Sequence, residues 1–252
     1  MKIKKAVILA AGLGTRMRPM TRAIPKPMLP VVNKPIIDYI ISEATESGIE
    51  EIVVIVNFQK EVIKKHCEEY DNVYFIHQKE LLGTADALLQ AQVFTHNEPF
   101  VLYYADEIVV NDGISCTKQL INEFVTRNTD VMAAIEIENS AAISEYNCVV
   151  FGEQVNGKTY QVEEVVEKPN NPLTNYTSIG RYVISPKIYK YIEEAKKLHT
   201  LSDELVITTI FNDVAKEGSF YGHLYEGTRY DIGSKEGWFK ANVELKNKIK
   251  RT

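Results

Sequence analysis

The sequence predicts an α/β fold, a mixed, mostly parallel central sheet with helices on both faces. Three observations lead there. From Lys4 to Glu138, apolar runs of strand length alternate with amphipathic segments of period 3.6. The runs KAVILAA and EIVVIV are almost continuously apolar, as strands covered on both faces must be. After Tyr146 the alternation gives way to strands with few helices between them, which makes the sheet mixed.

The elements follow in order. Lys4–Ala11 reads as the first strand. Pro35–Ser47 is an amphipathic helix with proline in its first turn and a stop at Gly48. Glu51–Asn57 is a strand, Gln59–Tyr70 a helix, Val73–Gln78 a strand and Gly83–Phe94 a helix. Pro99–Ala105 is a strand that ends at Asp106, followed by a helix over Ser115–Arg127 and a strand over Asp130–Glu138. Cys148–Phe151, Tyr160–Val166 and Thr177–Ser185 are strands, with Asn156-Gly157 as a hairpin turn between the first two. Helices over Pro186–Lys197 and Asp203–Glu217, the second capped by Ser202, precede a strand at Phe220–Tyr225 and a closing helix at Ser234–Lys248. No repeat, low-complexity segment or linker interrupts the chain, so residues 1–252 are expected to form one domain.

Composition removes several function classes. The 252 residues are 45% hydrophobic, enough for a sizeable core. No apolar stretch reaches the ~18 residues that cross a bilayer. The start, MKIKKAVILAAGLGTR, superficially resembles a signal peptide, but its short apolar run leads into Gly-Leu-Gly and arginine, and a cytoplasmic protein is expected. Three distant cysteines and five scattered histidines exclude a disulfide framework and a structural zinc spacing. Residues 1–37 carry eight Lys/Arg and no acid, whereas the remaining chain holds 21 Lys/Arg against 34 Asp/Glu. A basic opening on an acidic body implies a local anion site rather than a nucleic-acid surface.

That opening is Leu9-Ala10-Ala11-Gly12-Leu-Gly14-Thr15-Arg16, then Ile24-Pro-Lys26-Pro-Met-Leu-Pro30. Open parallel sheets bind ligands at the carboxyl ends of their strands. There Gly12 and Gly14 let backbone N–H groups approach an anion, and Arg16 and Lys26 add full charge; phosphate satisfies all four. Met17 replaces the third glycine of the dinucleotide fingerprint and no acid follows about twenty residues on, which disfavours a nicotinamide or flavin enzyme. The absence of GxxxxGK(S/T) disfavours a P-loop NTPase. Arg18 and Arg22 are open between phosphate contact and solvated surface. Asp106 ends an apolar strand facing the crevice. Tyr103 and Tyr104 read as strand packing, and Trp238 as core or interface.

Gly12-Leu-Gly-Thr-Arg16, Ile24-Pro-Lys-Pro-Met-Leu-Pro30 and Asn33-Lys-Pro35 together resemble the sugar-1-phosphate nucleotidylyltransferases, over nearly the whole chain. Tyr230-Asp-Ile-Gly-Ser-Lys-Glu-Gly-Trp-Phe-Lys-Ala-Asn242 is similar to their uridylyltransferase branch. The resemblance implies a Rossmann-like fold of the nucleotide-diphospho-sugar transferase type, residues 1–138 serving the nucleotide and 139–252 the sugar and closing helix. It implies in-line attack of a sugar 1-phosphate oxygen on the α-phosphorus of a nucleoside triphosphate, with UTP and glucose 1-phosphate giving UDP-glucose and pyrophosphate. No general base is required, because the nucleophile is already an anion; catalysis is positioning and charge stabilisation. Arg16 would hold the triphosphate and Lys26 span the reacting phosphates. Asp106 and Asp231 would hold Mg²⁺. Ala10, Ala11, Gly12, Gly14, Thr15, Gln78 and Gly83 would form the nucleotide pocket. Asn147, Glu167, Lys168 and Gly180 would meet the sugar phosphate. The family is commonly dimeric or tetrameric.

Two departures mark the sequence. Tyr146-Asn147-Cys-Val stands where relatives usually have Tyr-Gly-Val-Val, with Asn expected to tolerate a left-handed backbone. Pro27 follows the lysine where uridylyltransferases often have Glu. Another nucleotide (dTTP, CTP, GTP) or another sugar 1-phosphate therefore stays open, as does a silent nucleotide-sugar-binding regulatory subunit.

Overall fold

The computed structural model describes residues 2–137, 140–198 and 204–249. The strands are β1 (Lys5–Ala10), β2 (Pro30–Val31), β3 (Lys34–Pro35), β4 (Glu51–Val56), β5 (Val73–His77), β6 (Phe100–Tyr104), β7 (Glu107–Val110), β8 (Asp130–Glu136), β9 (Asn147–Asn156), β10 (Thr159–Glu167), β11 (Tyr176–Ile184), β12 (Phe220–Leu224) and β13 (Thr228–Asp231). The helices are α1 (Ile36–Glu46), α2 (Lys60–Cys67), α3 (Thr84–Gln90), α4 (Gln92–Thr95), α5 (Cys116–Arg127), α6 (Ile188–Leu198), α7 (Ile207–Lys216) and α8 (Lys235–Ile249).

Nine strands form one sheet in the order β5-β4-β1-β6-β11-β8-β12-β10-β9. β5, β4, β1 and β6 are parallel neighbours, and β8 pairs in parallel with β12. β11 runs antiparallel between β6 and β8, and β10 antiparallel between β12 and β9. Only β11 and β10 thus oppose the common direction, and the sheet is mixed and mostly parallel. Period-2 alternation divides its side chains between two cores. Ala6, Ile8 and Ala10 of β1 pack with α1, α5 and α8 on one face; Val7 packs with α3, α6 and α7 on the other. This explains the continuous apolar run of β1. Because β4 flanks β1 on one side and β6 on the other, the chain reverses its winding there, and a crevice opens beyond Ala10.

Local differences have local causes. Pro35 caps α1 in extended conformation (φ −60°, ψ 156°) instead of entering its first turn, and Gly48 (φ +93°) ends it. The expected helix over Gly83–Phe94 is broken at Ala91 into α3 and α4. Ser115 caps α5 by accepting from Lys118 N–H at 3.1 Å. α7 begins at Ile207; Ser202, Asp203 and Glu138, assigned to elements by the sequence, lie outside the described residues. β9 and β10 meet at the expected Gly157 turn. The ribbon of β7 and β13 was not expected. Glu107-Ile-Val-Val follows Asp106 so closely that it reads as the loop after β6, and Thr228-Arg-Tyr-Asp has no apolar run.

Candidate active site

β1 ends at Ala10 and the next residues turn across the crevice. Gly14 sits at φ +61°, where a Cβ would stand 3.0 Å from Thr21 Cγ2 and 3.2 Å from Lys26 Cβ. Thr21 Oγ1 donates to Gly14 carbonyl oxygen at 2.7 Å and ties the loop to the segment bearing Lys26. Glycine is therefore required here by both conformation and space. Gly12 has nothing within 4 Å of a built Cβ, so its backbone faces open space. Pro25 and Pro27 hold Lys26 in a short 3-10 turn.

These residues line a cleft of about 570 Å³. Of the residues predicted for the site, Ala10, Ala11, Gly12, Gly14, Thr15, Arg16, Lys26, Gln78, Gly83, Asp106, Glu167 and Lys168 border it; Asn147, Gly180 and Asp231 do not. Arg18 and Arg22 are exposed and lie outside it. The first β-strand, the third and the fourth of the parallel set thus deliver their carboxyl ends to one space, and the β10 end delivers Glu167 and Lys168 to the same space.

Lys26 Nζ lies 2.7 Å from Asp106 Oδ2, with the two side chains 12% and 30% exposed. Burial alone would raise the Asp106 carboxyl; the Lys26 ammonium, then Arg16 and Arg229, outweigh it and hold the carboxyl below its ordinary range. Asp231 reaches the same place through the β7–β13 ribbon. Ile232 N–H donates to Asp106 carbonyl oxygen at 2.9 Å, and Asp231 pairs in register with Glu107. Its carboxylate accepts from Tyr146 hydroxyl at 2.8 Å and Gly233 N–H at 2.6 Å, and lies 3.7 Å from Arg229 NH2. Arg16 points at this turn, its NH2 3.5 Å from where a Gly233 Cβ would stand.

A magnesium ion takes oxygen donors from one or two carboxylates and completes its shell with water and substrate phosphate. Asp106 and Asp231 fit that donor set: both are carboxylates, on adjoining backbone, and Asp106 already holds a cation, the Lys26 ammonium.

Behind the cleft runs a ladder of alternating charge. Glu43 Oε2 accepts from Arg181 Nε at 2.8 Å, Arg181 NH2 donates to Glu107 carbonyl oxygen at 3.1 Å, and Glu107 Oε1 accepts from Arg229 Nε at 3.1 Å. Arg229 then faces Asp231 and stacks on the Tyr146 ring at 4.8 Å. Burial works against the Arg229 charge, but Glu107 and Asp231 more than restore it, so its pKa stands above the ordinary arginine value. Glu107, the first residue of β7, turns its carboxylate away from the cleft to Gly180 N–H and Arg229.

One expectation needs correction, and Gly180 sits behind the lining rather than in it. Asn147 does not adopt a left-handed backbone; it is the first residue of β9, and its Oδ1 accepts from Ser178 N–H at 2.9 Å and Thr177 hydroxyl at 3.3 Å, tying β9 to β11. Left-handed geometry falls instead on Lys168 (φ +42°), whose N–H donates to Tyr146 carbonyl oxygen. Gly180 does not border the cleft: a Cβ there would stand 2.5 Å from Tyr104 Cβ, and its N–H donates to Glu107 Oε2 at 2.6 Å. Its missing side chain makes room for Tyr104, which does line the cleft. Tyr103 is buried and bonds Thr117 hydroxyl, and Tyr104 packs against Tyr182, so the packing reading holds for both, with Tyr104 also facing the cleft. Period-2 alternation separates the two and could have found Tyr104. Trp238 packs against the core and donates to Pro30 carbonyl oxygen. Arg229, Tyr146, Asp86 and Lys196 were not singled out; each acts through a long-range partner that spacing does not reveal.

Comparison with known proteins agrees with this geometry. Residues 5–248 match the nucleotidyl transferase family model. UTP–glucose-1-phosphate uridylyltransferase 2 of Staphylococcus saprophyticus is 33% identical over 96% of this chain and 92% of its own. A uridylyltransferase of the same description from Staphylococcus epidermidis matches equally. Among solved structures, UDP-glucose pyrophosphorylase complexed with UDP-glucose superposes with a TM-score of 0.90 at 30% identity, covering 98% of this chain and 100% of that one. The acid-free glycine loop and a family match that spans residues 5–248 point the same way: this chain belongs to the nucleotidyl transferase family.

Proposed function

We propose that the protein makes UDP-glucose and pyrophosphate from UTP and glucose 1-phosphate. One observation carries the reading: a loop without acids brings Arg16 and Lys26 to the same cleft that Glu167 and Lys168 line, with Asp106 against Lys26. Two anions must be joined there, and the leaving pyrophosphate gathers further charge. Arg16 and the N–H groups of Gly12 and Gly14 hold the triphosphate. Lys26 bridges the phosphate under attack and the entering one. Lys168 holds the sugar phosphate in line, and Glu167 accepts from sugar hydroxyls. Preorganised cations in a half-closed cleft lower the cost of charge that develops during transfer. Asp106 and Asp231 would hold Mg²⁺, which supplies Lewis-acid polarisation of the phosphate oxygens. Gln78 and Gly83 meet the base, backbone groups of Ala10, Ala11 and Gly12 complete that pocket, and Thr15 serves the nucleotide beside it. Residues 1–138 serve the nucleotide, and 139–252 the sugar and the closing helix. The reading extends to a cytoplasmic homodimer or homotetramer, which light scattering checks.

The test is pyrophosphate release with Mg²⁺ across UTP, dTTP, CTP, GTP and ATP, each paired with several sugar 1-phosphates. Release with UTP and glucose 1-phosphate above all other pairs is expected. Release with a different pair would keep the chemistry and reject the substrates; nucleotide binding without release from any pair would favour a silent binding subunit.

A further inference from the structure

Gln78 follows β5 directly, borders the cleft and is 2% exposed. Its main chain is fixed: N–H donates to Val56 carbonyl oxygen at 3.0 Å, and its own carbonyl oxygen accepts from Asn57 Nδ2 at 2.6 Å. Its side chain ends against two acceptors, Gly83 carbonyl oxygen at 3.2 Å and Asp86 Oδ2 at 3.0 Å. A carbonyl and a carboxylate can only accept, so the amide group that faces both is the NH2. Turned over, the amide would set its oxygen against two oxygens. Both NH2 protons are therefore committed to the protein, and among the described residues no hydrogen bond reaches Gln78 Oε1.

Asp86 is what makes this one-sided. It lies in the first turn of α3, 3% exposed, and its second oxygen takes Lys196 Nζ of α6 at 2.7 Å. Lys196 is half-exposed and spans the gap between the two helices. The carboxylate is thus anchored from one side and presents its other oxygen to Gln78.

We propose that Asp86, held by Lys196, is a positioning residue for base selection. It locks the Gln78 amide with its oxygen toward the ligand, so the site takes a base that offers a ring N–H at that point. Uracil and thymine carry a proton on N3. Cytosine presents a lone pair there, which would oppose Oε1. The discrimination is by donor and acceptor pattern, the kind that a hydrogen-bonding site performs far better than an apolar pocket. This inference rests on the proposed nucleotide chemistry and concerns its selectivity.

The experiment compares kcat/KM for UTP, dTTP and CTP between the unsubstituted enzyme and Asp86→Asn. Asparagine can offer Gln78 either an oxygen or an NH2, so the bias on the amide disappears. The expected result is a fall of about tenfold or more in the UTP-to-CTP ratio with the UTP-to-dTTP ratio unchanged, since those two bases present the same N3 proton. Equal loss for all three nucleotides, or an unchanged UTP-to-CTP ratio, would overturn the proposal. A second measurement needs no variant. In the isotope-labelled unsubstituted protein, the Gln78 side-chain NH2 protons should exchange slowly with solvent both without and with UMP. Rapid exchange that slows only on UMP binding would show a free amide and overturn it as well. If the unsubstituted enzyme uses CTP as readily as UTP, the proposed function fails together with this inference. If it selects UTP and Asp86→Asn still does, only this inference fails.

Discussion

Arg16 and Arg181 show two uses of one side chain. Arg181 is wholly buried, with Glu43, the Gly180 carbonyl oxygen and the Glu107 carbonyl oxygen taking its donors. Arg16 is exposed on a loop without acids at the edge of the cleft, and among the described residues no carboxylate lies within ion-pair distance of it. A guanidinium removed from water must be paired on every side, and once paired it has no capacity for a ligand. One left unpaired at the mouth of a cleft keeps that capacity. The ladder from Glu43 to Asp231 is therefore scaffold, and the loop from Gly12 to Lys26 is the binding surface. Asp231 is where the two meet.

The comparison breaks most visibly at Arg181. Arg181→Ala strands Glu43 in the core, and should cost about 3–5 kcal/mol of stability, read as a shift of the urea midpoint. At Lys26 the balance reverses. Lys26→Ala should lower kcat by about 10²–10³-fold while moving the unfolding free energy by about 1 kcal/mol or less, because its Asp106 partner is partly solvated. Equal losses of stability at both positions would erase the distinction. Arg229 tests the junction. It orients Asp231 without bordering the cleft, so Arg229→Met should weaken metal affinity about 10–100-fold, measured by Mg²⁺ titration of activity and by calorimetry with UTP. An unchanged magnesium requirement would detach the ladder from the site.

The smallest effect lies outside both regions. Asp130 is buried in β8, and burial pushes its carboxyl up to about 7 although Ser185 N–H donates to it at 2.7 Å. Its folded pKa stands above the unfolded one, so the native state binds the extra proton between them. Stability should therefore fall as pH rises from about 4 to about 7, and level off above. Asp130→Asn keeps the acceptor for Ser185 and should remove this loss, raising stability at pH 8 by about 1–3 kcal/mol with activity unchanged. Calorimetric melting of both proteins from pH 5 to 8 checks it.

The sequence was informative where a signal is local. Apolar runs located the sheet, Gly14 and the prolines around Lys26 located the loop, and Asp106 stood out as an acid at the end of an apolar strand. Partnership across the chain was not legible. Arg181 and Glu43 are 138 residues apart, Lys196 and Asp86 110 apart. The contacts of Asn147 and Gly180 were not legible for the same reason, since each meets a neighbour on another strand, Ser178 and Tyr104. The ribbon of β7 and β13 escaped because four-residue strands next to charged residues carry too little pattern to register.

The central claim is that Arg16, the loop cation for which no ion pair is found among the described residues, holds the triphosphate. Titration calorimetry of UTP into Arg16→Ala, beside the unsubstituted protein and with unfolding midpoints measured on the same samples, tests it most directly. The account predicts about tenfold or greater weakening with the midpoint unmoved. Undiminished UTP affinity in a folded Arg16→Ala protein would contradict it.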